Sequence, residues 1–234
     1  MADWVLAAER VYVAAAVDHA AGATVPAVGA EPAAAALAAA AEPAGLPAPR
    51  VLTRSNWQTE LPAAERRAHA LAAAGAVASR HLAVGTPRSF GIVIDDVAEV
   101  AAAALSLAAH HTWFAPRDIR CASTAPGGTG APELAAATGG RAVSLEEALA
   151  CDIVNVYAAR IRITPAQLRR GTHVNALAAG VLDPELLALA NVVPEADLPA
   201  LAAGLIDGRQ LDELTILVLG DTPSLATIDR GQVP

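Results

Sequence analysis

Aromatic side chains are scarce in this chain. Three Trp, two Tyr and two Phe make up 3% of its 234 residues, and there is a single Met. A core without large rings must be filled by Val, Leu and Ile and by close Ala-mediated helix contacts. Cysteine is equally sparse. Cys121 and Cys151 lack the spacing of a metal knuckle or a redox pair, and read as buried thiols of a reducing cytosol. Basic residues are outnumbered, 16 against 24 acidic, giving a net charge of −8. No Lys/Arg run occurs, which excludes nucleic acid and anionic membrane as natural partners and leaves the acidic balance to serve solubility. Long apolar runs are missing too. Asp3, Glu9 and Arg10 interrupt the first 21 residues where a signal peptide needs an unbroken apolar stretch. "EPAAAALAAAAEPAG" is weakly hydrophobic, bounded by Pro and Glu, and does not span a membrane. A cytoplasmic protein is the expectation.

What the chain does contain is alanine and alternation. Residues 1–21 and 31–41 read as amphipathic helices and 49–57 as a short strand. "LPAAERRAHALAAAGAVASRHLAVG" reads as a long helix opened by Pro62 and closed by Gly85 and Pro87. Gly75 inside that helix costs about 1 kcal/mol against Ala, which signals a close helix–helix or helix–sheet contact. From Arg88 short β-type runs ("FGIVI", "DIRCAS", "RAVS", "DIVNVY", "HVNAL", "ANVV") alternate with helices at 96–110, 132–138, 145–151, 165–170 and 183–189. This rhythm implies βαβ units, hence an α/β fold with a parallel sheet covered on both faces. The tail from Leu198 to Leu219 reads as helix. The change of rhythm divides the chain into an N-terminal region (1–87), an alternating α/β region (88–219) and a C-terminal segment (220–234).

One turn in this pattern is unusual. "SFGIVIDDVAEVAAAALSLAAHH" makes a strand and a long helix, but Asp95 and Asp96 stand where a dinucleotide fold places glycines. Asp96 is a natural helix cap, and acidic residues stabilise a helix N-terminus. They also repel a diphosphate. "GGTGAPE" follows the second strand rather than opening the first helix, so it does not read as a phosphate loop.

Three passages in fixed order carry a resemblance: "AHALAAAGAVASRHLAVGTPRSFGIVI", "CDIVNVYAARIRITPAQLRRGTHVNAL", and "LDPELLALANVV" followed by "DGRQLDELTILVLGDTPSLATIDRG". From about Ala68 to Asp229 the chain resembles the ornithine cyclodeaminase / mu-crystallin family. The resemblance implies a Rossmann domain joined to a smaller domain at a dimer interface: here a reduced N-terminal α+β dimerisation region (1–87), a Rossmann-like doubly wound parallel sheet (88–219) and a C-terminal return segment (220–234). It also implies NAD(P)-dependent chemistry on amino acids, imines or diamino acids, or a binding role.

Against that pattern the chain departs at four places. The G-x-G-x-x-A turn aligns with Ile94 to Glu99, "IDDVAE". The acidic ribose reader falls near Ser123 and Thr124. The substrate-carboxylate arginine falls on Ala70 and Leu71, with Arg66 and Arg67 one turn earlier as partial substitutes. The catalytic aspartate is lost from "NALAAGVLDPELL", and Leu217, Val218 and Leu219 stand where a lysine–serine pair is expected. The expectation is a divergent member that has lost NAD(P) binding and redox chemistry and uses no cofactor and no metal. It serves small-molecule, secondary metabolism as a cofactor-independent cyclase or lyase-type enzyme or as a binding or assembly protein. The alternative is an active NAD(P)-dependent imine reductase, amino-acid dehydrogenase or cyclodeaminase with an atypical cofactor site.

Polar groups near the strand ends supply candidate site residues. Asp95, Asp96, Tyr157 and His173 are the candidates for acid/base work. Arg67, Arg160, Arg162 and Asn175 are the candidates for holding a carboxylate-bearing substrate. Capping by the two aspartates, exposed arginines flanking a strand, and a core position for His173 are the competing structural readings. His110 and His111 sit at a helix C-terminus, where a cation is favoured. No Ser-His-Asp, Cys-His or metal-spaced set can be assembled. The expected assembly is a homodimer.

Overall fold

The alternation that begins at Arg88 folds into one parallel sheet in a computed structural model. The structure describes residue 9 and residues 63–177, 182–208 and 213–218. The elements expected at 1–21, 31–41 and 49–57, and the return segment 220–234, lie outside the described residues apart from Glu9. In chain order the elements are α1 (Ala63–Leu82), β1 (Ser89–Ile94), α2 (Val100–His110), β2 (Asp118–Ser123), α3 (Ala131–Thr138), β3 (Arg141–Ala142), α4 (Leu145–Leu149), β4 (Ile153–Val156), β5 (His173–Ala176), α5 (Pro184–Leu189), β6 (Asn191–Pro194), α6 (Leu198–Ala202) and β7 (Thr215–Val218). Strand order is β3-β2-β1-β4-β5-β7-β6, with every pair parallel. The chain runs outward from β1 to β3 and returns on the other side at β4. The winding therefore reverses between β1 and β4, the point where a doubly wound sheet opens its ligand crevice.

Strand side chains alternate between two cores. Phe90, Ile92, Ile94, Ile153 and Leu217 meet Ala73, Ala74, Val77, Ala78 and Leu82 of α1, together with Leu107, Leu134, Leu198 and Leu201. Val93, Val154, Val156, Val174, Ile216 and Val218 face the other way, onto Ala148, Leu149, Ile163 and Leu186. Small residues set the helix distances. A Cβ on Gly75 would stand 3.4 Å from Asn175 Cγ, which is the close helix–sheet contact that Gly75 foretold. A Cβ on Gly91 would collide with the Ala148 carbonyl at 2.1 Å, so only glycine lets the end of α4 approach β1.

Two expectations are corrected. The segment 198–219 is not helical throughout: α6 ends at Ala202, Gly204 takes a left-handed φ of 70°, and Thr215–Val218 forms β7 between β5 and β6. A β-branched, apolar "TILV" with a partner on each side gains ladder bonds and burial on both faces, and this outweighs the helical context read locally. The helix expected at 165–170 is a single 3-10 turn, Pro165–Gln167, closed by a Thr164–Gln167 capping box. The first Rossmann helix opens as the turn Val97–Glu99 before α2 begins.

Candidate functional site

The crevice at the switch point is built from the segments that follow β1, β2 and β4. Asp95, the first residue after β1, is 8% exposed. Its Oδ1 accepts the Thr124 hydroxyl, just past β2. Its Oδ2 accepts the amides of Ala159 (2.7 Å) and Arg160 (3.0 Å), in the loop after β4. One carboxylate thus ties three chain segments together across the crevice. Arg160 meets it through main chain, and the residue is exposed.

The neighbouring turn is also saturated from within. Asp96 is the N-cap: its Oδ1 accepts Ala98 N at 2.9 Å, and Glu99 completes the capping box. Glu99 Oε2 accepts the amides of Asp95 (2.7 Å) and Asp96 (3.4 Å), and Glu99 N donates to the Asp96 carbonyl (3.1 Å). Four of the amides from Asp95 to Glu99 are therefore spent inside the turn. A pyrophosphate needs such donors free and a positive helix end before it. The residues present do not fit that group, because Asp95, Asp96 and Glu99 supply the negative charge instead. Asp96→Ala should lower stability by about 1 kcal/mol, the ordinary value of a lost cap. Chemical denaturation checks this, and a loss above about 3 kcal/mol would show that Asp96 does more than cap.

The other candidates do not join this group. Tyr157 is buried, its hydroxyl donates to the Ala102 carbonyl at 3.1 Å, and burial raises its pKa far above the ordinary range. It is fastened beneath α2 rather than presented to the crevice. Arg162 is 66% exposed and pairs with Asp183 at 2.7 Å. Arg66 and Arg67 belong to the first turns of α1, and their side chains lie outside the described residues.

His173 and Asn175 are fully buried and belong to a polar layer that the sequence reading did not assemble. His173 lies between Thr215 Oγ1 (2.8 Å) and Asn175 Oδ1 (3.0 Å). Asn175 Nδ2 donates to Ser79 Oγ (2.9 Å) and to Asn155 Oδ1 (2.7 Å). Asn155 Nδ2 donates to Ser106 Oγ (2.6 Å), and the Thr215 hydroxyl donates to the Leu82 carbonyl (3.1 Å). Ser79 reaches His110 Nε2 at 2.9 Å, and His110 Nδ1 reaches the Ser106 carbonyl at 2.7 Å. A carbonyl only accepts, so His110 carries its proton on Nδ1 and accepts the Ser79 hydroxyl at Nε2.

The layer pins α1 and α2 to β4, β5 and β7. Register explains it: Asn155 stands beside Asn175, and His173 stands between Ile153 and Thr215, all on the α1 face of the sheet. The signal in the sequence was the pair of Asn residues set among apolar neighbours in "DIVNVY" and "HVNAL". Its partners 49 to 96 residues away carried no local mark.

His110 is the clearest reversal. It ends α2 as expected but not as a cation: it is wholly buried edge-on to Phe90, at 4.7 Å between ring centres, and burial holds its pKa at about 4. Both cysteines are free and buried, with burial raising Cys121 and pushing Cys151 up to about 11. Neither is a nucleophile at neutral pH. Among the described residues no three His, Cys, Asp or Glu side chains gather to hold a metal ion, and no helix is long and apolar enough to cross a membrane.

This is a Rossmann-like α/β protein in which one carboxylate, Asp95, bridges the segments that follow β1, β2 and β4. Solved structures with the same fold include an archaeal alanine dehydrogenase dimer with bound NAD (TM-score 0.55, 21% identity, covering 70% of this chain and 63% of that one). Another is the Δ1-pyrroline-2-carboxylate reductase of Thermococcus litoralis in complex with NADH and L-proline (0.55, 21%, 67% and 59%). A third is a lysine cyclodeaminase (0.52, 19%, 67% and 54%). The chain spans less than two thirds of the length of each. Its structural neighbours are thus the cyclodeaminases and related NAD-bound enzymes to which the sequence resemblance pointed, and at these identities they establish the fold. No protein-family model matches the chain, and no curated protein matches it.

Proposed function

We propose that this chain is a divergent protein of the ornithine cyclodeaminase / mu-crystallin lineage that works without a dinucleotide. It serves small-molecule metabolism by binding, or by cyclisation or elimination of, an amine- or carboxylate-bearing compound. The observation that carries this reading is Asp95: a nearly buried carboxylate holds the crevice where the pyrophosphate of a bound cofactor would need open amides. Like charges at contact distance cost on the order of 1 kcal/mol in water and several inside a protein, so Asp95, Asp96 and Glu99 together oppose a diphosphate. A homodimer belongs to the same proposal, in line with the dimeric alanine dehydrogenase neighbour.

A second reading has its own support. The neighbours with bound NAD or NADH share this fold, and they favour an NAD(P)-dependent reductase, dehydrogenase or cyclodeaminase that grips its cofactor in another way. Fold comparison favours the second reading, and the geometry of the first turn favours the first. Titrating NADH and NADPH while following tryptophan fluorescence separates them. The expected result is no saturable change at micromolar nucleotide, and saturable micromolar binding establishes the second reading instead.

A further inference from the structure

The donors around Asp95 have a geometry of their own. The amides of Ala159 and Arg160, consecutive in the chain, both point at one oxygen, and the Thr124 hydroxyl points at the other. Consecutive amides aimed at one point form an anion-binding concavity without any helix end. Ala159 and Arg160 are exposed while Asp95, whose carboxylate they hold, is 8% exposed as a residue, so the seat lies near the surface at the carboxyl ends of β1 and β4. We propose that Thr124, Ala159 and Arg160 form an anion seat that the chain fills in cis with its Asp95 carboxylate, and that would take a small external carboxylate if Asp95 were absent. The proposal deepens the reading of a crevice closed from within and rests on it. Glu99 and Asp96 flank the seat, so it selects a compact monoanion over a phosphate dianion.

The test is anion rescue of Asp95→Ala in the full chain. Thermal unfolding is followed by circular dichroism in sodium formate, acetate or phosphate, against chloride at equal ionic strength. Asp95→Ala should melt lower than the unsubstituted protein by about 5 °C or more. Formate should restore at least half of that loss saturably, and phosphate much less. Asp95→Asn fills the seat without charge and should show no formate-specific gain, nor should the unsubstituted protein. Formate and chloride acting alike on Asp95→Ala would overturn the proposal, as would an equal formate gain in Asp95→Asn. Should Asp95→Ala fail to fold in chloride, its recovery in formate supports the seat, and failure in both salts overturns it. Nucleotide titration of the unsubstituted protein reads the proposed function separately, so failure of the one is distinguishable from failure of the other.

Discussion

Asn175→Ala should destabilise the protein by about 3–5 kcal/mol, the largest loss expected from a single change in the polar layer. Asn175 satisfies three buried partners at once: it donates to Ser79 and Asn155 and accepts from His173. Truncation leaves each of these without its bond inside the core, where an orphaned polar group costs about 1–3 kcal/mol. Water cannot replace the lost amide cheaply, because Ser79, Asn155 and His173 are all fully buried. A typical domain has only about 5–15 kcal/mol in total, so the variant should sit close to unfolding. Asn175→Leu should do no better, since it restores volume and leaves the same three groups unpaired. Urea unfolding followed by circular dichroism measures the loss. A value under about 1 kcal/mol would mean that the layer rearranges freely. The double variant with Asn155→Ala should lose less than the sum of the single variants, because the two amides share a bond.

Acid should destabilise the fold well before its carboxylates titrate. Burial holds His110 at about 4 when folded, against 6.5 for an exposed histidine, and the charge of neighbouring His111 adds in the same direction. Between those values the unfolded chain binds a proton that the folded chain refuses. The stability from this group is therefore complete above pH 6.5 and is lost as pH falls from 6.5 towards 4. At 1.36 kcal/mol per pH unit, the fall from 6.5 to about 4 corresponds to roughly 3 kcal/mol. Asp118 and Asp152 are held below their ordinary value of 3.8, by the Arg120 hydrogen bond and by the Arg88 and Ser89 amides respectively. They add their losses only below about pH 4, so the window from 6.5 to 5 separates the histidine contribution from theirs, and comparison with His110→Gln isolates the share of His110. Unfolding free energies at pH 7, 6 and 5 should decline in the parent protein and decline measurably less in His110→Gln. A parent protein equally stable at pH 7 and pH 5 would refute the assignment.

The elements that were legible in the sequence share a feature: their signal is local. Asp96 capping the first helix turn, the parallel strands "FGIVI" and "DIRCAS", and the close approach at Gly75 each follow from a few adjacent residues. What was misread depends on residues far apart. "TILV" becomes a strand because β5 and β6 leave a place between them. His110 becomes a core residue because Phe90 and Ser79 meet it there. Seven of the eight candidate site residues share only their nearness to strand ends (Arg67 stands at the start of the long helix), and the fold divides the seven. Asp95 and Asp96 stay at the crevice with the Arg160 main chain, while Tyr157, His173 and Asn175 go inward and Arg162 outward.

By itself the sequence determined the α/β class, the first six strands from Arg88, and the acidic character of the first turn. Periodicity, caps and charge are properties of neighbouring residues and need no partner. Only the tertiary structure decided that Asp95 ties together the loops after β1, β2 and β4 and that a buried polar layer pins α1 and α2 to the sheet. Both depend on directed hydrogen bonds between segments tens of residues apart, and no local pattern records where those segments meet.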